Sequence, residues 1–149
     1  MEDRIEKSID LKAPIERVWR AVTDHEQFGE WFKVKLDGPF VVGAISTGQI
    51  TYPGYEHLKW VVRVDAMEEM HRFAFSWRPF NDGENILTAK DCETRVEFIL
   101  TPTEKGTHLV VSESGFSALP DDDRRLEAFR SNSDGWQHQI ENIRSYVES

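Results

Sequence analysis

The stretch SNSDGWQHQIENIRSYVES, residues 131–149, decides the fold. Trp136, Ile140, Ile143 and Val147 step by three and four, the spacing of one apolar strip on a helix. The strip extends upstream through Leu126, Phe129 and Ser133, so the spacing predicts one long helix from just after Pro120 to the C-terminus. Asp121, Asp122 and Asp123 suit the positive end of its dipole. Only one strip is apolar, so the helix must lie against something else.

Upstream the period changes to two. Leu58, Trp60, Val62, Val64 and Ala66 alternate with more polar neighbours, as do Phe73, Phe75 and Trp77. Val96, Phe98 and Leu100 form a third such run, and Leu109, Val111 and Glu113 a fourth. Antiparallel strands with one wet face show this alternation. Gly38-Pro39, Gly43, Gly48 and Pro53-Gly54 punctuate shorter strands, and residues 79–93 form a long polar connection. At the N-terminus Ile5, Ile9 and Leu11 share the face of a first strand. Pro14 opens a short helix carrying Ile15, Val18, Trp19 and Val22. Asp24 with Gln27 reads as a capping box for a second, with Phe28, Trp31 and Phe32 inward. A sheet with one apolar face must be covered. The expectation is therefore α+β: a curved antiparallel sheet of about six to seven strands wrapped around a long C-terminal helix, with two short helices after the first strand.

The 149 residues suit a single domain, 1–149, large enough for its own core. A formal net charge of -9 argues against nucleic acid and against anionic membrane surfaces as partners. One cysteine, Cys92, excludes an internal disulfide. MEDRIEKSID lacks the apolar core of a signal peptide, and no apolar run reaches the ~18 residues of a membrane helix, so a cytoplasmic location is expected.

Five words in order carry a resemblance: IEKSIDLKAPIERVWRAVTD, EWF at Glu30–Phe32, FSWRP at Phe75–Pro79, THLVVSESGF at Thr107–Phe116, and DGWQHQIENIRSYVE. With the element order, they resemble the START / Bet v 1-like (SRPBCC) superfamily, in the branch named after activators of the 90-kDa heat-shock protein ATPase. The resemblance covers nearly the whole chain and implies a helix-grip fold. It leaves function open, because that superfamily hosts ligand carriers, cyclases, sensors and co-chaperones. Gly43-Ala44 stands where the branch often has paired glycines, and the 79–93 connection is longer than a minimal hairpin. In a helix-grip fold, Gly135 beside Trp136 reads as a site where a loop or strand approaches the helix closely. The competing reading is a kink or a helix start after SNSD.

The chain has no phosphate-binding glycine loop, dinucleotide fingerprint or nucleophile elbow. His25, His57, His71, His108 and His138 are scattered, PDDD lacks the ligand pattern of a calcium loop, and no metal or cofactor is expected. Lys7 and Glu113 fall on inward faces of the first and last strands, which the resemblance makes neighbours. They are expected to meet, as a structural ion pair or as a polar anchor in a pocket. Candidate cavity-lining residues are Lys7, Trp31, Phe32, Trp60, Phe73, Phe75, Trp77, Phe98, Val111, Glu113, Ser133 and Trp136. Aromatics at such positions are commonly plain core.

Three functions follow, in this order. The first is a module binding a small hydrophobic molecule, polyketide-like, aromatic or lipid, between sheet and helix, reached near PGYEHLK and the 79–93 connection. The second is a polyketide cyclase/dehydratase-like enzyme, with Glu113, Lys7, Glu30, Tyr52 or Tyr55 supplying the acid or base. The third is a chaperone-associated interaction module; co-chaperones of that branch carry a further N-terminal domain, which ranks this reading last. A chaperone or a second copy of the chain are the candidate protein partners. An open interior favours the first two functions and a filled one the third.

Overall fold

The structure, a computed structural model, describes residues 3–79, 93–119 and 123–149. The chain runs β1 (Arg4–Leu11), α1 (Ile15–Thr23), α2 (His25–Phe32), β2 (Val34–Leu36), β3 (Ile45–Ile50), β4 (Lys59–Glu68), β5 (Arg72–Trp77), β6 (Thr94–Thr103), β7 (Gly106–Ser114), a 3-10 turn at Phe116–Ala118, and α3 (Asp123–Glu148). The seven strands form one antiparallel sheet in the order β1-β7-β6-β5-β4-β3-β2. Strands β2 to β7 follow one another as neighbours, while β1 sits at the far edge beside β7. The α1–α2 pair therefore carries the chain from one edge to the other. The expected helix-grip α+β architecture is what the structure has: a curved sheet, two short helices after the first strand and a long C-terminal helix. A register shift between Val64 and Ala66 on β4 adds local bend and twist.

The inward positions are those the alternation marks. Ile5, Ile9 and Leu11, then Trp60, Val62 and Val64, Phe73 and Phe75, Val96, Phe98 and Leu100, and Leu109 and Val111 are buried. Against them α3 buries Ala128, Trp136, Ile140, Ile143 and Val147. The upstream end of the expected strip needs correction. Leu126 is 42% exposed, and Ala128 takes the inward place, because a step of four from Trp136 leads back through Asn132 to 128. Of the three aspartates, Asp123 lies in the first turn of α3; 121 and 122 fall outside the described residues, as do Cys92 and most of the 79–93 connection.

The short helices are held by specific bonds. Trp31 Nε1 donates to the Ala21 carbonyl at 2.7 Å, tying α2 to α1. Asp24 caps α2 by accepting from the Glu26 amide at 3.4 Å. The reciprocal half of the expected capping box does not form. The Asp24 amide already donates to Arg20 as the last bond of α1, and Gln27 Oε1 is buried without a partner among the described residues.

Close backbone approach to a helix occurs at Gly29, not at Gly135. Lys33 ends α2 in the left-handed conformation (φ 69°), and the chain turns back so that the Val34 carbonyl oxygen lies where a Cβ on Gly29 would be. Around Gly135 an added Cβ meets nothing within 4 Å. The two glycines should respond oppositely to alanine. Gly29→Ala is expected to lose about 2 kcal/mol or more through the clash. Gly135→Ala is expected to gain about 0.5–1 kcal/mol from helix propensity alone. Chemical denaturation of the two variants checks both; a destabilised Gly135→Ala would mean that the glycine is needed for packing.

Candidate functional site

Where Trp31, Phe98, Val111, Trp136, Ile140 and Ile143 meet, about 0 Å³ of cavity remains between helix and sheet. Phe28, Phe73, Phe75 and Phe98 are fully buried there, with ring centroids 4.9–6.3 Å from neighbouring aromatics. Aromatic side chains are large enough to close an interior that smaller residues would leave open. Open space lined by aromatic rings lies beside α3 near Trp77 of β5. One cleft of about 110 Å³ is lined by Phe32, Trp77, Asn132, Gly135, Trp136 and Gln139. A second, of about 190 Å³, adjoins it through Phe32, Trp77 and Asn132, and is also lined by Ile50, Leu58, Lys59, Trp60, Val61, Arg78 and Pro79.

Behind this wall lies Glu113, which is 0% exposed. Strand register puts it between Ile5 on β1 and Val96 on β6, with Thr94 two residues before Val96 on the same face and opposite Trp77. Its Oε2 accepts from Thr94 Oγ1 at 2.6 Å and from Trp77 Nε1 at 2.9 Å. Its Oε1 accepts from Trp136 Nε1 at 2.9 Å, and Asn132 Nδ2 reaches both oxygens at 3.1 and 3.0 Å. Among the described residues no cation bonds to Glu113. Burial pushes the Glu113 carboxyl above the ordinary glutamate value, against the pull of the hydrogen bonds from Thr94, Trp77, Trp136 and Asn132. The carboxylate thus holds both indoles by their N–H edges, and the Trp77 and Trp136 rings stack at 5.9 Å and 27° beside the cleft.

The expected Lys7–Glu113 meeting does not occur. Lys7 lies opposite Val111, one inward position along β1 from Ile5, and lines a separate polar groove of about 470 Å³ with Asp10, His108, Gln137, Glu141 and Arg144. Of the other candidates, Phe32, Trp60, Trp77 and Trp136 line the two clefts. Trp31, Phe73, Phe75, Phe98 and Val111 belong to the packed core. Ser133 lines neither cleft; the helical step from Trp136 brings Asn132 to the site instead. Glu30 hydrogen-bonds Tyr146, whose hydroxyl is pushed up by burial and by that carboxylate, away from both clefts. Tyr52 and Tyr55 are each 52% exposed and pack on one another.

Sequence reasoning missed Thr94, Asn132, Gly135 and Gln139 as site residues. Thr94 had a usable signal, since it continues the inward parity of Val96 and Phe98. Asn132 had one too, four residues before Trp136. Among the described residues, no cluster of His, Cys, Asp and Glu side chains has the geometry of a metal site, and no helix is long and apolar enough to cross a membrane.

Comparison with known proteins adds a family and a set of folds. The sequence model of the family described as Activator of Hsp90 ATPase homolog 1-like protein matches residues 12–148. No curated protein matches the sequence. Among solved structures, 100% of the chain superposes on DynU16, a putative protein in the dynemicin biosynthetic locus, with TM-score 0.76 and 24% identity; it spans 48% of that longer chain. Protein MLL2253 from Mesorhizobium loti matches over 97% of this chain and 96% of its own, with TM-score 0.75 and 23% identity. The Aha1 dimer from Colwellia psychrerythraea matches over 97% and 96%, with TM-score 0.72 and 17% identity. At these identities the structural likeness shows the fold.

Glu113→Gln tests the carboxylate. Each oxygen takes one indole N–H, so either amide orientation sets an NH2 group against an indole. A loss of about 1–3 kcal/mol is expected at neutral pH. The folded pKa lies above the ordinary value of 4.5, so the folded state holds the proton more tightly than the unfolded chain. The contribution of Glu113 is then full below 4.5 and falls as pH rises through the folded pKa. The stability gap between wild type and Glu113→Gln should widen as pH falls from 8 toward 4.5 in urea titrations. A gap that is flat, or that widens with rising pH, would contradict the raised pKa.

Proposed function

Because the chain belongs to the Activator of Hsp90 ATPase homolog 1-like family, we propose that it is a binding module that takes a small, flat, apolar molecule in the aromatic cleft between α3 and β5. The observation that carries this reading is the pair of adjoining clefts sharing Phe32, Trp77 and Asn132. Together they reach the lower end of the ~300–1,000 Å³ common for ligand pockets, which suits one or two fused rings rather than a long lipid. Flat indole and phenyl walls favour a planar guest. Gly135 keeps the helix side of the cleft open. Glu113 acts as a positioning residue, fixing the edges of Trp77 and Trp136 so that the wall is formed before a ligand arrives.

This reading stands ahead of the cyclase-like one because the carboxylate best suited to acid–base work is fully buried and lines neither cleft. A general acid or base must reach the atom it serves. A second reading has its own support: the filled interior between Trp31, Phe98 and Val111 suits an interaction module for a chaperone or another protein. DynU16 and the Aha1 dimer share the fold and illustrate how different the settings of this scaffold are.

Plugging the cleft separates the two. Gly135→Trp adds an indole where a Cβ meets nothing within 4 Å, so stability is expected to change by less than about 1 kcal/mol, the range for a substitution into open space. Wild type should bind 1-anilinonaphthalene-8-sulfonate saturably at one site, with quenching of tryptophan fluorescence, and Gly135→Trp should lose that binding. Val111→Trp, which enters the filled core, should instead lose about 1–3 kcal/mol. Absence of saturable binding by wild type, or undiminished binding by Gly135→Trp, would hand the lead to the interaction module.

A further inference from the structure

Resting on the cleft-binding reading, we infer that the ligand carries a hydrogen-bond donor on its flat framework, a hydroxyl or ring N–H, and that Asn132 Oδ1 accepts from it. Asn132 stands on α3 where the two clefts adjoin, and it lines both. Its amide has one orientation. Nδ2 lies 3.1 and 3.0 Å from the two Glu113 oxygens. Those oxygens also accept from Trp77 and Trp136, whose indole N–H groups can only donate. An amide turned over would set its own oxygen against the carboxylate, acceptor against acceptor. Glu113 lines neither cleft, so the amide turns its donor inward and leaves Oδ1 for the cleft side.

Asn132 Oδ1 accepts no hydrogen bond among the described residues, and unlike the Gln27 side-chain oxygen it is not sealed from solvent. The other amide of the wall sets the contrast. Gln139 uses both ends within the protein: Nε2 donates to the Phe32 carbonyl at 3.2 Å, and Oε1 accepts from Asn142 at 3.0 Å. An accessible amide oxygen is met by water when the protein is free. A guest lying on Phe32 and Trp77 displaces that water, and a pure hydrocarbon would then cover an unmet acceptor. A hydroxyl placed where the clefts adjoin replaces the lost bond. The carboxylate that fixes the two indole walls thereby also selects the ligand's polar group, through the amide it holds.

Two probes of matched shape test the assignment: 2-naphthol, which donates, and 2-methylnaphthalene, whose methyl group replaces the hydroxyl and cannot. In protein labelled with carbon-13 and nitrogen-15, the Asn132 side-chain carbonyl carbon is assigned through its own Cβ. It should lie downfield in the naphthol complex relative to the hydrocarbon complex. Affinity gives an independent reading. In Asn132→Leu the ratio of the two dissociation constants should shift toward the hydrocarbon by about fivefold to tenfold, the factor that one hydrogen bond provides. An Asn132 carbonyl signal at one position in both complexes, binding of the hydrocarbon alone, or a ratio unchanged in folded Asn132→Leu would overturn the donor assignment and leave the cleft reading standing. Binding of neither probe would overturn both. If Asn132→Leu, which takes one donor from Glu113, fails to fold, the wild-type carbonyl signal decides alone.

Discussion

The Glu113 carboxylate is the constraint around which the rest of this structure is arranged. It is an ionisable group at the centre of an apolar face, with no cation bonded to it among the described residues. Desolvating a carboxylate costs several kcal/mol even after relaxation, so it persists there only if its oxygens are met by donors. Five donor contacts from four residues meet them: Thr94 from β6, Trp77 from β5, and Asn132 and Trp136 from α3. Since Glu113 itself belongs to β7, one group joins three strands to the C-terminal helix. The apolar strip of α3 supplies the driving force for docking, but a greasy strip slides and rotates. The carboxylate gives the docked helix one register, the one in which residue 132 and residue 136 both face it.

That register has consequences for where open space can lie. With Trp136 pinned at its N–H edge, its ring leans on Phe98, Phe32 and Trp77 and seals the region over Val111. The space between Trp31, Phe98 and Val111 is therefore filled; the aromatic clefts lie on the β5 side, where Gly135 removes one side chain from the helix surface, and the polar groove lies on the β1 side. A glycine in a helix usually costs stability. At Gly29 the cost is met by a strand carbonyl that could not otherwise pass. At Gly135 no neighbour lies within 4 Å of where a Cβ would stand, and the space forms part of the smaller cleft.

The outer face of the sheet follows a different logic. Arg63 pairs with Glu93 through two bonds of 3.0 and 2.8 Å and also meets Asp65, which accepts from Ser76 at 2.5 Å. Arg72 bridges Glu97 and Glu68. Arg72 joins β5 to its neighbours β4 and β6, whereas Arg63 on β4 reaches past β5 to Glu93 beside β6; these partly exposed pairs each contribute modestly. The contrast with Glu113 is one of solvent: ion pairs suffice at the surface, whereas the interior carboxylate needs its oxygens met by neutral donors fixed in place.

Element order, strand parity and the helical strip were legible in the sequence because they depend on local periodicity. Alternation at Phe73, Phe75 and Trp77, or steps of three and four at Trp136, Ile140 and Ile143, state which side faces a core without saying what the core contains. Family membership was legible for the same reason, since its words lie on those elements. The site was only partly legible. Phe32, Trp60, Trp77 and Trp136 could be named as aromatics on inward faces, but whether they lined space or filled it depended on how rings from five elements pack together. The partner of Glu113 depended on strand register: one inward position separates Lys7 from the place opposite Glu113, and indole N–H groups supplied by other elements took the role expected of the lysine. Likewise Asn132 and Ser133 are equally compatible with the helical period, and only the docked rotation of α3 chose between them. Periodicity is a property of the chain, whereas register, rotation and the meeting of donors with a buried acceptor are properties of elements placed against one another.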